Sequence, residues 1–344
     1  MMSHRPSGFV NAHTHLYSGL VSLGMPRPAT PPRTFVEILE KIWWRLDRAI
    51  DEAALRAAAR FYVAEALLAG TIAIVDHHES PGFIAGSLDV LADACQELGI
   101  RAVLCYGASE RNGGRQEARG GLAECRRFAL GNRRPLVKGV VGLHASFTVS
   151  DDTIREAGEL CRDLGTVLHV HVAEDLVDVE DARQQGYAGP LERLQGLGAL
   201  PAGSILAHGV HLTREQVRMA ADLGCWLVQN PRSNRNNKVG YPAALAESPR
   251  VALGTDGFPS DMRAEFAALT ECAREHGDDS GLLEARLAAG ERLVTERFGA
   301  AADVESDRTA VRDGRLVAAD IEEIRADAEE QARRLWTQMR SVDG

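Results

Sequence analysis

Three things are scarce or missing in this chain of 344 residues. Its formal net charge is −10 and no basic stripe with interleaved aromatic residues occurs, which argues against nucleic-acid binding. Its six cysteines are scattered without any Cys-x-x-Cys pair, which argues against disulfides and favours a reducing compartment. No apolar run is long enough to cross a bilayer, and the N-terminal residues contain no signal core. We therefore expect a cytoplasmic protein that binds neither nucleic acid nor membrane.

Short apolar runs alternate with helical segments from the N-terminus to about residue 300. The runs are almost continuously apolar, as strands buried on both faces are, and the gaps between them suit strand–helix–strand units. We therefore predict an α/β fold, a (β/α)8 barrel of parallel strands, with an open doubly wound sheet as the alternative. The predicted strands begin near Gly8, Thr71, Arg101, Val137, Val167, Ser204, Trp226 and Arg250.

Two segments lie outside this alternation. Residues 24–32 include four prolines, which exclude a helix and predict a long loop of the kind that covers active sites. The barrel is assigned to residues 1–300 and a tail to residues 301–344. The tail is predicted to contain a small hairpin over 307–317, turning at Asp313 and Gly314, and an amphipathic helix over 321–339.

The first strand ends in His13-Thr-His15. Side chains at positions i and i+2 of a strand point to the same face, so both imidazoles can reach one metal ion. Ionisable residues also stand on or after other strands, and the carboxyl ends of barrel strands build the active site. Burying them together without a cation would leave costly unsatisfied groups. The ionisable residues on or after these other strands are Asp76, His77, His78, His144, His169, His171, Glu174, His208 and Asp256.

Four motifs in this order resemble those of the amidohydrolase superfamily, in its aminohydrolase/deaminase branch. They are the His-x-His of the first strand, HVAE over 171–174, AHGVHL over 207–212 and GTDG over 254–257. More narrowly, segments 142–151, 169–175 and 230–240 are similar to the SsnA-like group of aminohydrolases and chlorohydrolases. The resemblance extends over nearly the whole chain and implies the same barrel.

The resemblance implies that His13, His15, His171 and Asp256 hold one divalent ion, Zn²⁺ or, as the alternative, Fe²⁺. A second ion would need a bridging carboxylate or a modified lysine at the end of the fourth strand. His144 stands at that position, so one ion is expected.

The resemblance also implies roles for the neighbouring residues. Asp256 would take a proton from the water at the metal, and Glu174 would protonate a ring nitrogen and then pass a proton to the leaving ammonia. His208 would orient the attacking hydroxide or join the ligands, and His169 is expected one layer deeper, behind them. The candidate substrate-binding residues are His144 and, in the loops expected after the first and seventh strands, Tyr17, Asn234 and Asn237.

The chain departs from the superfamily in one respect. Relatives carry a small β-sandwich built from strands before and after the barrel, whereas the first barrel strand here begins near residue 8. We therefore expect that sandwich to be largely absent, with the hairpin of the tail as its remnant. Because exposed strand edges must be covered, a homo-oligomer, most simply a dimer, is expected.

These features predict a metal-dependent hydrolase of C–N bonds that acts on a small molecule. We expect it to deaminate an amino-substituted heterocycle by attack of a hydroxide formed at the metal. Hydrolysis of a C–Cl bond or a cyclic amide in the same site is the first alternative, and Glu174 favours deamination because that reaction needs a proton shuttle. A catalytically silent metal-binding scaffold protein is the second alternative.

Overall fold

The computed structural model describes residues 8–278, 280–299 and 310–341. Within these ranges the apolar runs form a parallel sheet in which successive strands are neighbours, and helices cover its outer face. The predicted (β/α)8 barrel is confirmed. The strands are β1 (Phe9–Thr14), β2 (Thr71–His78), β3 (Arg101–Ala108), β4 (Val137–Gly139), β5 (Val141–Ala145), β6 (Leu168–Val172), β7 (Ile205–His208), β8 (Trp226–Gln229) and β9 (Val251–Leu253).

The barrel closes between its first and last strands at the carboxyl end. Thr14 and Asp256 form a parallel bridge, and the amides of Thr255 and Asp256 donate to the carbonyl oxygen of His13 at 2.9 and 3.0 Å. Closure therefore brings the His-x-His of β1 directly beside the carboxylate that follows β9.

Local sequence signals mark several helix ends. Asp51 accepts a hydrogen bond from the amide of Ala54 and so caps α3, and glycines in the left-handed conformation close α4 and α6. The helices are α1 (Phe35–Ile38), α2 (Trp44–Ala49), α3 (Glu52–Leu68), α4 (Ser87–Leu98), α5 (Gly114–Gly131), α6 (Asp151–Leu164), α7 (Leu176–Gln184), α8 (Pro190–Gly196), α9 (Arg214–Asp222), α10 (Pro231–Asn237), α11 (Met262–His276), α12 (Leu283–Phe298) and α13 (Ile321–Ser341).

The structure corrects three local predictions. The predicted fourth strand is two strands, because β4 pairs with the first half of β3 and β5 with its end. The segment after β8, expected to be a loop, is helix α10, which starts at Pro231 and buries polar rather than apolar side chains, so its sequence carries no helical hydrophobic period. Tyr17 lies in a 3₁₀ turn, Leu16–Leu20, rather than in an open loop.

The segment that follows the proline-rich loop is irregular. Helices α1 and α2 are joined by a π-helical turn, Leu39–Trp43. Such turns shift the register of side chains and are frequent at functional sites. Here the turn places Trp43 and Trp44 at the carboxyl end of the barrel.

The tail is described from residue 310. Its strands β10 (Val311–Arg312) and β11 (Arg315–Leu316) pair antiparallel around Asp313 and Gly314, as predicted, whereas residues 307–309 of the expected hairpin lie outside the described part. Helix α13 packs on α3 through Leu335 and other buried residues, so the tail covers the barrel side. Among the described residues, no helix is long and apolar enough to span a membrane.

Candidate metal centre and active site

The two histidines of β1 point their Nε2 atoms into the mouth of the barrel. His15 Nδ1 lies 2.5 Å from the carbonyl oxygen of His77, to which only an Nδ1–H can donate. His13 Nδ1 lies 2.9 Å from Nε2 of His169, and its own Nε2 is buried with no hydrogen-bond partner. Such outer contacts fix the tautomer and orientation of a ligating imidazole. Both rings therefore present Nε2 to a common centre.

Two further histidines face the same centre from β6 and β7. His171 Nδ1 donates to the carbonyl oxygen of His144 at 2.7 Å, which leaves Nε2 free, 3.4 Å from His15 Nε2. His208 places Nδ1 2.9 Å from the amide oxygen of Asn234, and its buried Nε2 has no hydrogen-bond partner. Burial lowers the pKa of His171 well below its ordinary value, which keeps its ring in the neutral form that ligates metals.

Asp256 supplies the carboxylate. Its Oδ1 lies 2.8 Å from His15 Nε2 and 3.5 Å from His13 Nε2, while Oδ2 accepts a short hydrogen bond from Ser233. Burial disfavours the charge, but the adjacent imidazoles of His13 and His15 outweigh it and hold the pKa of Asp256 well below its ordinary value. The side chain is therefore an ionised acceptor at neutral pH.

A divalent ion fits this set of donors. Ligand atoms of His13, His171, His208 and Asp256 lie within 4.8 Å of one another, and His15 Nε2 adjoins Asp256 and His171. Nitrogen and oxygen donors of this kind suit zinc and other first-row metals. Two buried Nε2 atoms without partners are costly unless a cation binds them. The geometry brings all four predicted ligands together and adds His208 to them.

Glu174 stands beside the centre. Its Oε2 is 3.5 Å from His208 Nε2, and its Oε1 accepts a hydrogen bond from Asn237 at 3.2 Å. Burial, reinforced by the charge of Asp256 and opposed by His208, raises the pKa of Glu174 to about 7. A carboxyl group with such a pKa can both donate and accept a proton near neutral pH.

The site opens into a narrow cavity of about 40 Å³, which we call the reaction cavity. Of the predicted substrate-binding residues, Tyr17, His144 and Asn237 line it. Asn234 is instead placed behind His208, where its amide oxygen orients that ring. The other walls are Phe35, Leu39, Trp43, Trp44 and Phe147, together with the carboxylates Glu79, Glu174, Asp175, Asp178 and Asp256.

A buried charge network that the sequence interpretation missed forms one wall. Glu79 follows β2, faces the reaction cavity and lies 3.1 Å from His77 Nδ1. Arg111, from the segment after β3, reaches Asp47 at 2.9 Å and Glu79 at 3.6 Å, and stacks over Trp44. Despite burial, the charge of His144, the hydrogen bond of His77 and Arg111 lower the pKa of Glu79.

The sequence carries a signal for only part of this network. Glu79 directly follows the strand-end histidines of β2, so its position at a barrel mouth was visible. Asp47 lies on helix α2 among other charged residues, and nothing local distinguishes it from a solvated side chain. Only the fold shows that it is buried against Arg111.

Histidines also lie behind the candidate metal ligands, where His169 is predicted. His169 lies behind His13 on the axis of the barrel, and its Nδ1 is 3.6 Å from the thiol of Cys105. His77 donates Nε2–H to the carbonyl oxygen of Leu143, and its other nitrogen faces Glu79. Both rings therefore support groups that face the centre.

Comparison with known proteins identifies the family of the chain. The model of the amidohydrolase family matches residues 7–289. The chain belongs to the amidohydrolase family. The resemblance seen in the motifs is thereby confirmed, and the named relatives fall in the deaminase branch that the motifs indicate.

Two curated relatives illustrate the deaminases to which the chain is similar. A 5-methylthioadenosine/S-adenosylhomocysteine deaminase of Archaeoglobus fulgidus is 30% identical over 260 residues, which are 74% of this chain and 59% of the relative. An 8-oxoguanine deaminase of Pseudomonas aeruginosa is 30% identical over 271 residues, 74% of this chain and 60% of the relative. The chain thus spans about three-fifths of the length of these relatives.

A solved structure confirms the fold. A zinc-bound adenosine deaminase from Xanthomonas campestris superposes with a TM-score of 0.78 at 21% sequence identity. The match covers 96% of this chain and 85% of the other. At this identity the likeness establishes the barrel architecture.

Proposed function

We propose that the protein is a metal-dependent aminohydrolase that releases ammonia from an amino-substituted heterocycle. One observation carries the proposal: Glu174, a buried carboxyl group with a pKa of about 7, lies 3.5 Å from His208 at the edge of a His/Asp cluster that could hold a metal ion. Deamination needs a group that gives a proton to the ring and then to the leaving nitrogen. The deaminase names of the relatives support the same reaction class.

We propose one divalent ion, Zn²⁺ in preference to Fe²⁺, held by His13, His15, His171 and Asp256. His208 belongs to the same cluster, and its unpartnered Nε2 makes it either a fifth ligand or the group that orients the nucleophile. When bound, such an ion supplies a water of lowered pKa.

The side chains around the ion then divide the proton transfers. Asp256, held ionised by the adjacent imidazoles, accepts the proton of the attacking water. Glu174 in its protonated form would donate to the ring nitrogen next to the reacting carbon, and the proton held by Asp256 would then pass, by way of the Glu174 carboxylate, to the departing amine. The second proton of the water, released as the new carbonyl group forms, would restore the protonated form of Glu174. Asn237, whose amide donates to Oε1 of Glu174, keeps that carboxyl group pointed into the reaction cavity.

The charge of the reaction cavity limits the substrate. Five carboxyl groups line it, of which Glu79 and Asp256 have lowered pKa values and are ionised, and the Arg111 guanidinium is paired with Asp47 and Glu79. An anionic group such as a phosphate would therefore be repelled, and a neutral or cationic ring with several N–H or O–H donors is favoured. Aromatic and aliphatic walls suit a flat ring. We propose a purine or a related ring without a phosphate.

The alternatives are weaker on the same evidence. A C–Cl bond or a cyclic amide could be hydrolysed by the same metal site. A C–Cl bond offers no leaving nitrogen for Glu174 to protonate, and the deaminase names of the relatives favour an exocyclic amine over a cyclic amide. A silent scaffold protein would not need Glu174, Asn237 and Asp256 to converge on an enclosed cavity.

Three further properties are proposed from the sequence. Residues 1–300 would form the catalytic unit and residues 301–344 an appended tail. The enzyme would work in the cytoplasm as a homodimer. Sedimentation equilibrium of the purified protein tests the dimer, for which we expect twice the chain mass of 37.2 kDa.

An ammonia-release screen of the zinc-loaded protein tests the reaction. We expect release from at least one compound in a panel of purine bases, purine nucleosides, pterins, pyrimidines and amino-triazines. Glu174→Gln should bind the same amount of zinc and lose about 10²- to 10⁴-fold in kcat. Turnover without ammonia release, or a Glu174→Gln variant of full activity, would contradict the proposal.

A further inference from the structure

Glu79 is a buried carboxylate that the proposed proton transfers do not use. It is only 3% exposed and lines the reaction cavity. Its Oε1 lies 3.1 Å from His77 Nδ1, but the contact is poorly aligned, and among the described residues Oε1 has no hydrogen-bond partner of good geometry. Its other oxygen, Oε2, is 3.6 Å from Arg111, which is beyond hydrogen-bond distance. A buried carboxylate so incompletely paired needs another source of hydrogen bonds.

The ion pair with Arg111 does not account for the position of Glu79. Arg111 makes its hydrogen bond to Asp47 at 2.9 Å, and Glu79 is the more distant of its two carboxylates. The barrel instead leaves room for Glu79, because a Cβ atom on Gly107 of β3 would stand 2.9 Å from Oε1 and 2.3 Å from the ring of His77. An ionised carboxylate has about four acceptor sites, so at least half of them remain for a ligand.

His144 presents a second acceptor beside Glu79. Its Nδ1 lies 3.0 Å from Oγ1 of Thr148, and the hydroxyl hydrogen of Thr148 is donated to the carbonyl oxygen of Ala145. Nδ1–H of His144 is therefore the donor to Thr148. Burial lowers the pKa of His144 to about 3, so the ring is neutral at pH 7 and its Nε2 carries no hydrogen.

The two acceptors are close enough to hold one amino group. A ring nitrogen of His144 and a carboxylate oxygen of Glu79 lie within 4.8 Å of each other and of a nitrogen of His171. His171 donates Nδ1–H to the carbonyl oxygen of His144 and presents Nε2 to the candidate metal centre, so it has no nitrogen left for a second ion. One NH₂ group, with hydrogen bonds of about 2.9 Å, can bridge two acceptors at this separation.

We propose that Glu79 is a specificity-determining residue and that, together with His144, it binds an amino group that stays on the substrate. The proposal rests on the proposed function and narrows its substrate to a heterocycle with two amino groups, one removed and one retained. The leaving nitrogen belongs beside Glu174 and His208, which lie 3.5 Å apart, because Glu174 must protonate it. Neither residue belongs to the cluster of Glu79, His144 and His171. The retained group donates one hydrogen to each acceptor.

Equilibrium binding of matched purines tests this proposal. The probes are 9-methyladenine, 2,9-dimethyladenine and 2,6-diamino-9-methylpurine, titrated into zinc-loaded Glu174→Gln protein so that turnover does not interfere. A methyl and an amino group are similar in size, but only the amino group donates hydrogen bonds. We expect the diamino compound to bind about 10- to 100-fold more tightly than the other two, the range for hydrogen bonds to a charged group. Equal affinity of the diamino and dimethyl compounds would overturn the proposal.

Two substitutions in the same background assign this preference to Glu79. Glu79→Gln should cut it about threefold to tenfold, because a neutral amide accepts roughly half as strongly as a carboxylate. Asp175→Asn is the matched control: it removes another carboxylate from the reaction cavity, retains the cap of α7 and should keep the preference. Full preference in Glu79→Gln, or equal losses in both variants, would refute the role of Glu79. The comparison of ligands decides by itself if Glu79→Gln does not fold.

These measurements are independent of the proposed reaction, since they record binding. A preference for the diamino compound without ammonia release from any compound would contradict deamination and support the amino-group site. If no purine binds, the ring assignment fails, and Glu174→Gln crystals soaked with 2-aminopyrimidine then decide. An amino nitrogen within hydrogen-bond distance of both Glu79 and His144 would support the proposal, and any other position, or an empty cavity, would refute it.

Discussion

Three residues at the ends of barrel strands share a strained backbone. Ala173, His208 and Asp256 have φ values of +49°, +74° and +54°, a region that residues with a side chain rarely adopt. Such strain persists only where the surrounding structure enforces it, and it concentrates at functional sites. At these positions it turns His208 and Asp256, and through Ala173 also Glu174, towards one centre.

At the residue scale, the ligand set predicts where metal binding is lost. His171→Ala should lower the bound metal from one equivalent to well below half, because it removes one of the buried nitrogen donors at the centre. His276→Ala, at an exposed histidine on α11, is the matched control and should keep full occupancy. Elemental analysis after gel filtration measures both, and equal metal content in the two variants would contradict the ligand assignment.

The hydrogen bond from Asn237 to Glu174 predicts a shift in the pH profile. The amide donates to the carboxylate and so favours its ionised form; removing it raises the pKa of Glu174 above about 7. Because the protonated form is the acid, activity is lost as pH rises through that pKa. Asn237→Ala should therefore move the alkaline limb of kcat/KM upward by about half a unit to one unit. A limb that stays in place or moves to lower pH would show that Glu174 is not the titrating acid.

At the element scale, α13 braces the segment that carries the two tryptophans. Arg334 forms two hydrogen bonds to the carboxylate of Asp51, and Trp336 donates to the carbonyl oxygen of Leu23 in front of the proline-rich loop. Asp51 also caps α3, so one side chain ties α3 to α13. The tail therefore contacts the chain on both sides, in sequence, of the segment that carries Trp43.

Substitutions of Asp51 separate its two roles. Asp51→Ala should lower the free energy of unfolding by about 1–2 kcal/mol, because it removes the cap and the ion pair. Asp51→Asn keeps the capping oxygen and should lose less than about 1 kcal/mol. Urea denaturation at pH 7 measures both, and equal losses would contradict this division.

The pH dependence of the same pair follows from its charge. The hydrogen bonds from Arg334 lower the pKa of Asp51, so its ion pair stabilises the folded state above the unfolded-state pKa and is lost as pH falls through the folded one. The difference in stability between wild type and Asp51→Asn should therefore shrink below about pH 4.

Some secondary-structure elements could be predicted from the sequence and others could not, and the difference has physical causes. The barrel strands were evident because both of their faces are buried, which leaves almost continuous apolar runs in the sequence. Helix α10 was missed because contacts from other elements hold its polar side chains: Arg232 pairs with Glu265 on α11, and Asn234 with His208. Asp47 and Arg111 are far apart in sequence, and only the closed barrel brings them together.

At the scale of the whole molecule, the acidic charge bears on which substrates the proposed reaction would accept. The net charge of −10 and the carboxylates around the reaction cavity act in the same direction against anions. If the enzyme deaminates adenosine, adenosine 5′-monophosphate should react at least about 100-fold less efficiently in kcat/KM, since it brings two negative charges to an acidic site. Comparable efficiencies, measured by ammonia release at one ionic strength, would contradict the assignment of an acidic pocket.

The central claim is that one metal ion, held by His13, His15, His171 and Asp256, supports deamination. Titration of metal-free protein with Zn²⁺, followed simultaneously by bound metal and by ammonia release from the substrate found in the screen, tests it most directly. We expect activity to rise linearly and to reach its plateau at one equivalent of zinc per chain. Full activity in the metal-free protein, or a plateau only at two equivalents, would contradict the account.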